Sequence, residues 1–64
     1  MLKISLAAAR VNAGFTQEDV SKKMRKSKQT IVNWENGRTS IDQANLKALA
    51  ELYAIPVDNI RLKT

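Results

Sequence analysis

The 64-residue sequence contains no cysteine and no histidine. The first absence excludes disulfide staples and thiolate metal sites. The second removes the commonest general base together with the commonest metal ligand. Carboxylates alone can support catalysis, but a domain this small barely forms a pocket, so no enzymatic activity, catalytic residue, metal or cofactor is expected. Proline occurs once and glycine twice, and so few breakers argue for an all-helical domain with short turns. There is no apolar run long enough to span a bilayer. The opening "MLKISLAAAR" lacks the apolar core and cleavage site of a signal peptide. A cytoplasmic protein without a membrane partner, native from Met1, is expected.

What is present is positive charge. Eleven Lys and Arg face six Asp and Glu, a formal net charge of +5. On so short a chain this favours nucleic acid or an anionic surface as partner, although small proteins are also basic for solubility alone. The length allows one domain, residues 1–64, and a marginal one, since it buries only about 60% of its unfolded surface. No repeat, linker or low-complexity tract interrupts it.

Five short helices are expected. The first, Leu2 to Ala13, places Leu2, Leu6, Ala9 and Ala13 on one stripe at helical spacing. Gly14 follows as an exit residue free to adopt positive φ, with Phe15 placed to fold back on the helix end. Thr16 with Asp19 three residues on is a capping-box variant that opens the second helix, with Val20 and Met24 facing inward. A third helix starts almost at once from Ser27 and stops at Gly37. Two short helices joined by a turn of about three or four residues form a helix-turn-helix, here at about residues 16–37. Ser40 or Asp42 caps a fourth helix lined by Leu46, Leu49 and Leu52 or Tyr53. "AIPVDNI" starts a last short helix, with Pro56 near its first turn and Val57 and Ile60 on one side.

The third helix is the informative one. At about 100° per residue, Thr30, Ile31, Trp34 and Glu35 fall in one half of the wheel, while Gln29, Val32, Asn33 and Asn36 fall in the other, with Lys28 near the boundary. The second half is almost entirely amide and cation, which cannot be core. A solvated face is the ordinary explanation of such a surface, but the usual choice there, glutamate, is missing from it. Amides and cations are also the groups that read base edges: Gln and Asn pair with adenine, Lys donates to guanine, and Val32 can touch a thymine methyl. Trp34 shares its side with Ile31 and is expected in the core.

"TQEDVSKKMRKSKQTIVNWENG" resembles the helix-turn-helix of the lambda-repressor-like, or Cro/C1-type (XRE), DNA-binding family. "AAARVNAGFTQ" resembles that family's first helix and glycine exit, and "NLKALAELYAIPVDNI" its fourth and fifth helices. The most specific pieces are "GFTQ" and "WENGRT" at the expected spacing, and the resemblance covers roughly residues 3 to 61. It implies a five-helix domain that binds operator DNA as a dimer and controls transcription.

Residue by residue, the resemblance makes Lys28, Gln29 and Asn33 base readers, joined by Val32 from the wheel. Gln17 falls where the family grips a phosphate and buttresses the third helix, near helix N-terminal N–H groups. Thr30, Asn36, Arg38 and Thr39 fall at phosphate-contact positions. Arg10 and Glu35 match a pair that bridges the first and third helices, and a carboxylate on the inner half of the wheel needs such a partner. Val57, Ile60 and Leu62 offer a small apolar strip for dimerisation. Two positions depart from the pattern: Ser21, where alanine is common, and Arg25, where glycine is common in the turn. Serine is small enough for the helices to pack, whereas a left-handed Arg25 would cost about 1 kcal/mol or more.

These readings converge on a sequence-specific, double-stranded DNA-binding regulator of transcription, in the first place a nucleoid-associated repressor. An antitoxin-like autoregulator with a protein partner is the same fold in another role. A protein-interaction module would show acidic or apolar residues on the third helix, and a non-specific binder of nucleic acid would show aromatic and basic residues without amides.

Overall fold

In the computed structural model, residues 3–62 are described. Among them, four α-helices, one 3-10 turn and two very short strands follow one another. These are β1 (Ile4–Ser5), α1 (Leu6–Asn12), α2 (Gln17–Met24), α3 (Lys28–Asn36), α4 (Gln43–Tyr53), the 3-10 turn (Val57–Asn59) and β2 (Ile60–Arg61).

Every α-helix begins on a side chain that accepts an otherwise orphaned N–H. Ser5 accepts from Ala8, Ser27 from Thr30 and Asp42 from Asn45. At Thr16 the box is reciprocal: Asp19 N–H donates to Thr16 Oγ1 at 3.0 Å, and Thr16 N–H donates back to Asp19 Oδ2 at 2.9 Å. These bonds favour the charged carboxylates, so Asp19, held first by the Thr16 N–H, and Asp42, held first by the Asn45 side chain, titrate below their ordinary value. Each helix is also followed by a left-handed residue: Gly14 (φ 84), Arg25 (φ 56), Gly37 (φ 75) and Ala54 (φ 58). Only glycine adopts this conformation without steric cost, so the exits at Arg25 and Ala54 are strained.

The apolar stripes of the helices meet in one core. Leu6 and Ala9 come from α1, Val20 from α2, Ile31 and Trp34 from α3, and Leu46, Leu49, Ala50 and Tyr53 from α4. Phe15 packs against this core, its ring centroid 6.3 Å from that of Tyr53. Ser21 is buried where α2 meets the rest, and its hydroxyl is satisfied by donating to the Glu18 carbonyl at 2.7 Å.

Three expectations need correction. The first helix begins at Leu6, after the Ser5 cap; of the segment expected to precede it, Leu2 lies outside the described residues, and Ile4–Ser5 is strand. The fifth helix is a single 3-10 turn after Pro56, because Ile60 leaves it in extended geometry. Ile60 then pairs in parallel with Ile4, and Arg61 with Ser5. That pairing turns Ile60 into the core, where it is 7% exposed, so it does not belong to a surface strip. Val57 is half-buried against the core and Leu62 remains exposed.

Candidate nucleic-acid interface

Three residues, 25–27, join α2 to α3. The turn works because Arg25 takes the left-handed conformation, which lets the Arg25 and Lys26 N–H groups donate to the carbonyls of Lys22 and Ser21. Ser27 then restarts the chain as a helix, its Oγ accepting from Thr30 N–H at 3.1 Å. The same Oγ lies 2.9 Å from the Thr30 hydroxyl, so Thr30 is half-buried and already engaged in the cap.

The inner side of α3 is fixed by Ile31 and Trp34 in the core and by Glu35 beside them. Arg10 Nε donates to Glu35 Oε2 at 2.8 Å, and Gln17 Nε2 donates to Glu35 Oε1 at 2.9 Å. Arg10 also donates to the Phe15 carbonyl at 2.9 Å. One carboxylate therefore ties α1, α2 and α3 together, with both of its oxygens accepting from within the fold. Gln17 keeps one amide N–H and its carbonyl for any outside contact. Tyr53 sits close by, where burial pushes its phenol up to about 12, the Glu35 carboxylate adding to the shift and Arg10 opposing it.

The opposite side of α3 is open. Lys28 and Gln29 are exposed, while Val32 and Asn33 are half-buried beside them. Gln29 Nε2 donates to Asn33 Oδ1 at 3.0 Å. At the end of the helix Asn36 is exposed, and Gly37 then reverses the chain with Arg38 and Thr39 exposed as well.

Positive charge is concentrated in the stretch of sequence that contains α3. Residues 20–41 hold six of the eleven cations (Lys22, Lys23, Arg25, Lys26, Lys28 and Arg38) and one of the six acids, Glu35, which points inward. That segment alone accounts for the whole net charge of +5, and its six cations are all exposed. Lys22 lies 3.7 Å from Glu18 across one exposed turn, and Lys23 stands 5.6 Å from the Phe15 ring centroid. Lys22, Lys23, Arg25 and Lys26 are exposed cations of late α2 and the turn that the motif positions did not include; the split of charge along the sequence is the signal that marks them. Among the described residues no cluster of acidic side chains could hold a metal, and no helix is long and apolar enough to cross a membrane.

A helix-turn-helix family model matches residues 6–60, which spans all four α-helices, the 3-10 turn and the first residue of β2. No curated protein matches the chain closely enough to count as a relative. The family is one of double-stranded DNA-binding transcription regulators and not of enzymes. With a short capped pair of helices, an inward-braced α3 and a match over most of its length, the chain belongs to the Cro/C1-type (XRE) helix-turn-helix family.

Proposed function

We propose that the protein is a transcriptional repressor that reads double-stranded operator DNA by laying α3 in the major groove. The observation that carries this reading is the division of α3: an inner side tied down by Glu35, and an outer side of Lys28, Gln29, Val32 and Asn33 with no acid on it. A helix so braced presents base-reading groups in a fixed orientation, and the groove accepts one helix at a time. Gln17, Asn36, Arg38 and Thr39 then contact phosphates on either side, with Thr30 contributing through the hydroxyl it shares with Ser27. Occupying an operator is enough to block transcription, so repression needs no further surface.

On DNA the protein acts as a homodimer, because a single helix reads only one half-site and two-fold related half-sites lie about one helical turn apart. Leu62 and the half-buried Val57 are the apolar residues offered for that contact. They cover far less than the roughly 2,000 Å² of an obligate interface, so pairing without DNA is weak. Function on chromosomal DNA places the protein at the nucleoid.

The test is selection from a randomised double-stranded DNA pool, followed by footprinting on the enriched site. An inverted repeat with two protected half-sites and two chains per site is the expected result. Binding without any enriched sequence would remove base reading, and one chain per saturated site would remove the dimer.

A further inference from the structure

We infer that Gln29 and Asn33 read DNA as one hydrogen-bonded unit, in which Asn33 is the positioning residue and Gln29 the reader of an adenine. This rests on the proposed groove reading by α3 and goes a step past it, since two amides one turn apart would otherwise be independent readers. Gln29 Nε2 donates to Asn33 Oδ1 at 3.0 Å across the outward face of the helix. A glutamine amide has two N–H donors and one carbonyl oxygen. With one N–H committed to Asn33, Gln29 keeps one N–H and Oε1, which is the donor–acceptor set that matches adenine N7 and N6–H. The bond to Asn33 also removes the freedom of the terminal amide to turn over. A free glutamine amide can turn over to present the opposite order of donor and acceptor; a tethered one presents a single order.

Asn33 is changed in the complementary sense. One of the two lone pairs of its carbonyl oxygen is taken by Gln29, so what it offers outward is weighted toward its amide N–H pair. Donors alone distinguish bases poorly, because adenine, guanine and thymine all present acceptors in the major groove. Asn33 is also half-buried while Gln29 is exposed, which places Gln29 farther toward a groove and Asn33 behind it as a support. The sequence preference of this face therefore sits at the base pair under Gln29, and Asn33 sharpens it from behind.

The experiment measures binding of the protein and three variants to the enriched site and to its full set of single-base-pair changes. Gln29→Ala identifies the base pair under Gln29 as the one whose preference is flattened, expected at roughly five- to hundredfold. Asn33→Ala should reduce discrimination at that same base pair by about tenfold. Asn33→Asp keeps an acceptor for the Gln29 N–H; it should restore the discrimination although its negative charge weakens binding to every DNA. Ratios between DNAs, and not absolute affinities, are the readout, so a loss of stability common to all sites does not move it. If Asn33→Ala instead flattens a different base pair and leaves that of Gln29 intact, the unit is overturned while groove reading by α3 stands. If Asn33→Asp fails to restore what Asn33→Ala removes, the positioning role is overturned. If no variant changes any preference, neither amide reads bases and the inference falls, while Lys28 and Val32 remain as the readers on α3.

Discussion

Arg10 and Glu35 meet at 2.8 Å between α1 and α3, with their side chains only 14% and 6% exposed. So little water reaches the pair that removing one partner leaves the other charged and unsolvated, which costs more than the pair itself contributes. Glu35→Ala should therefore lower stability by about 3–5 kcal/mol. Gln17→Ala, which removes a neutral donor to the same carboxylate, should cost about 1.5–3 kcal/mol. Denaturant melts of the two variants check both. A Glu35→Ala loss under 1 kcal/mol would place the pair among weak surface contacts.

The strained exits make an opposite prediction. Ala54 stands at φ 58 after α4, with its N–H and that of Ile55 donating to Glu51 and Ala50. Ala54→Gly relieves a left-handed side chain at about 1–2 kcal/mol and gives part of that back through the freer unfolded chain, for a net gain of about 0.5–1 kcal/mol. Arg25→Gly should raise stability similarly, yet weaken DNA binding by removing an exposed cation from the helix-turn-helix. Paired thermal melts and binding titrations separate the two effects.

Arg38 is exposed just past the exit of α3; its backbone N–H donates to the Asn33 carbonyl, while its side chain makes no hydrogen bond or ion pair among the described residues. As a phosphate contact it should act on every sequence alike. Arg38→Ala should weaken operator and scrambled DNA by similar factors and reduce the slope of log affinity against log salt by about one per subunit. Titrations at several salt concentrations on both DNAs test this; a loss confined to the operator would make Arg38 a base reader.

Tyr53 is the only tyrosine in the chain, so its ionisation can be followed by near-ultraviolet difference absorbance against the non-titrating Trp34. Its folded-state value of about 12 lies above the unfolded 10, so the folded state holds the proton longer. The stability this represents is complete below pH 10 and is lost as pH rises from 10 through about 12. The phenol should thus ionise late, or together with unfolding. Titration at the ordinary value in a folded protein would show that the ring is not buried against Glu35.

Local chemistry made most of the helical frame legible. Thr16 with Asp19, Ser27 and Gly37 each mark a boundary that the chain obeys, because a cap is decided by residues within one turn of each other. The apolar spacing likewise brings Leu6, Val20, Ile31, Trp34 and Leu49 to the core. What escaped was set by partners far away in the sequence. Nothing near Ile4 announces a strand, since it pairs with Ile60 at the other end of the described chain. Pro56 suggested a helix start, but the demand of that pairing stops the turn after Asn59. For the candidate site, a helical wheel separates the two sides of α3 but does not show that Gln29 and Asn33 are joined, or that Gln17 spends one amide N–H on Glu35. Those bonds depend on rotamers and on the crossing of α2 over α3.

The parallel clasp of Ile4–Ser5 with Ile60–Arg61 also orders events in time. Joining positions 4 and 60 closes nearly all of the described chain into one loop, at an entropic cost of about 3–4 kcal/mol when the rest is unfolded. Two residues per strand cannot offset that alone, so the clasp closes only after the four helices have condensed and brought its halves together. The reverse should hold on opening: the amides of β1 and β2 are expected to exchange with solvent while α2 and α3 stay formed. The pair α2 and α3 is thereby insulated from opening of the clasp.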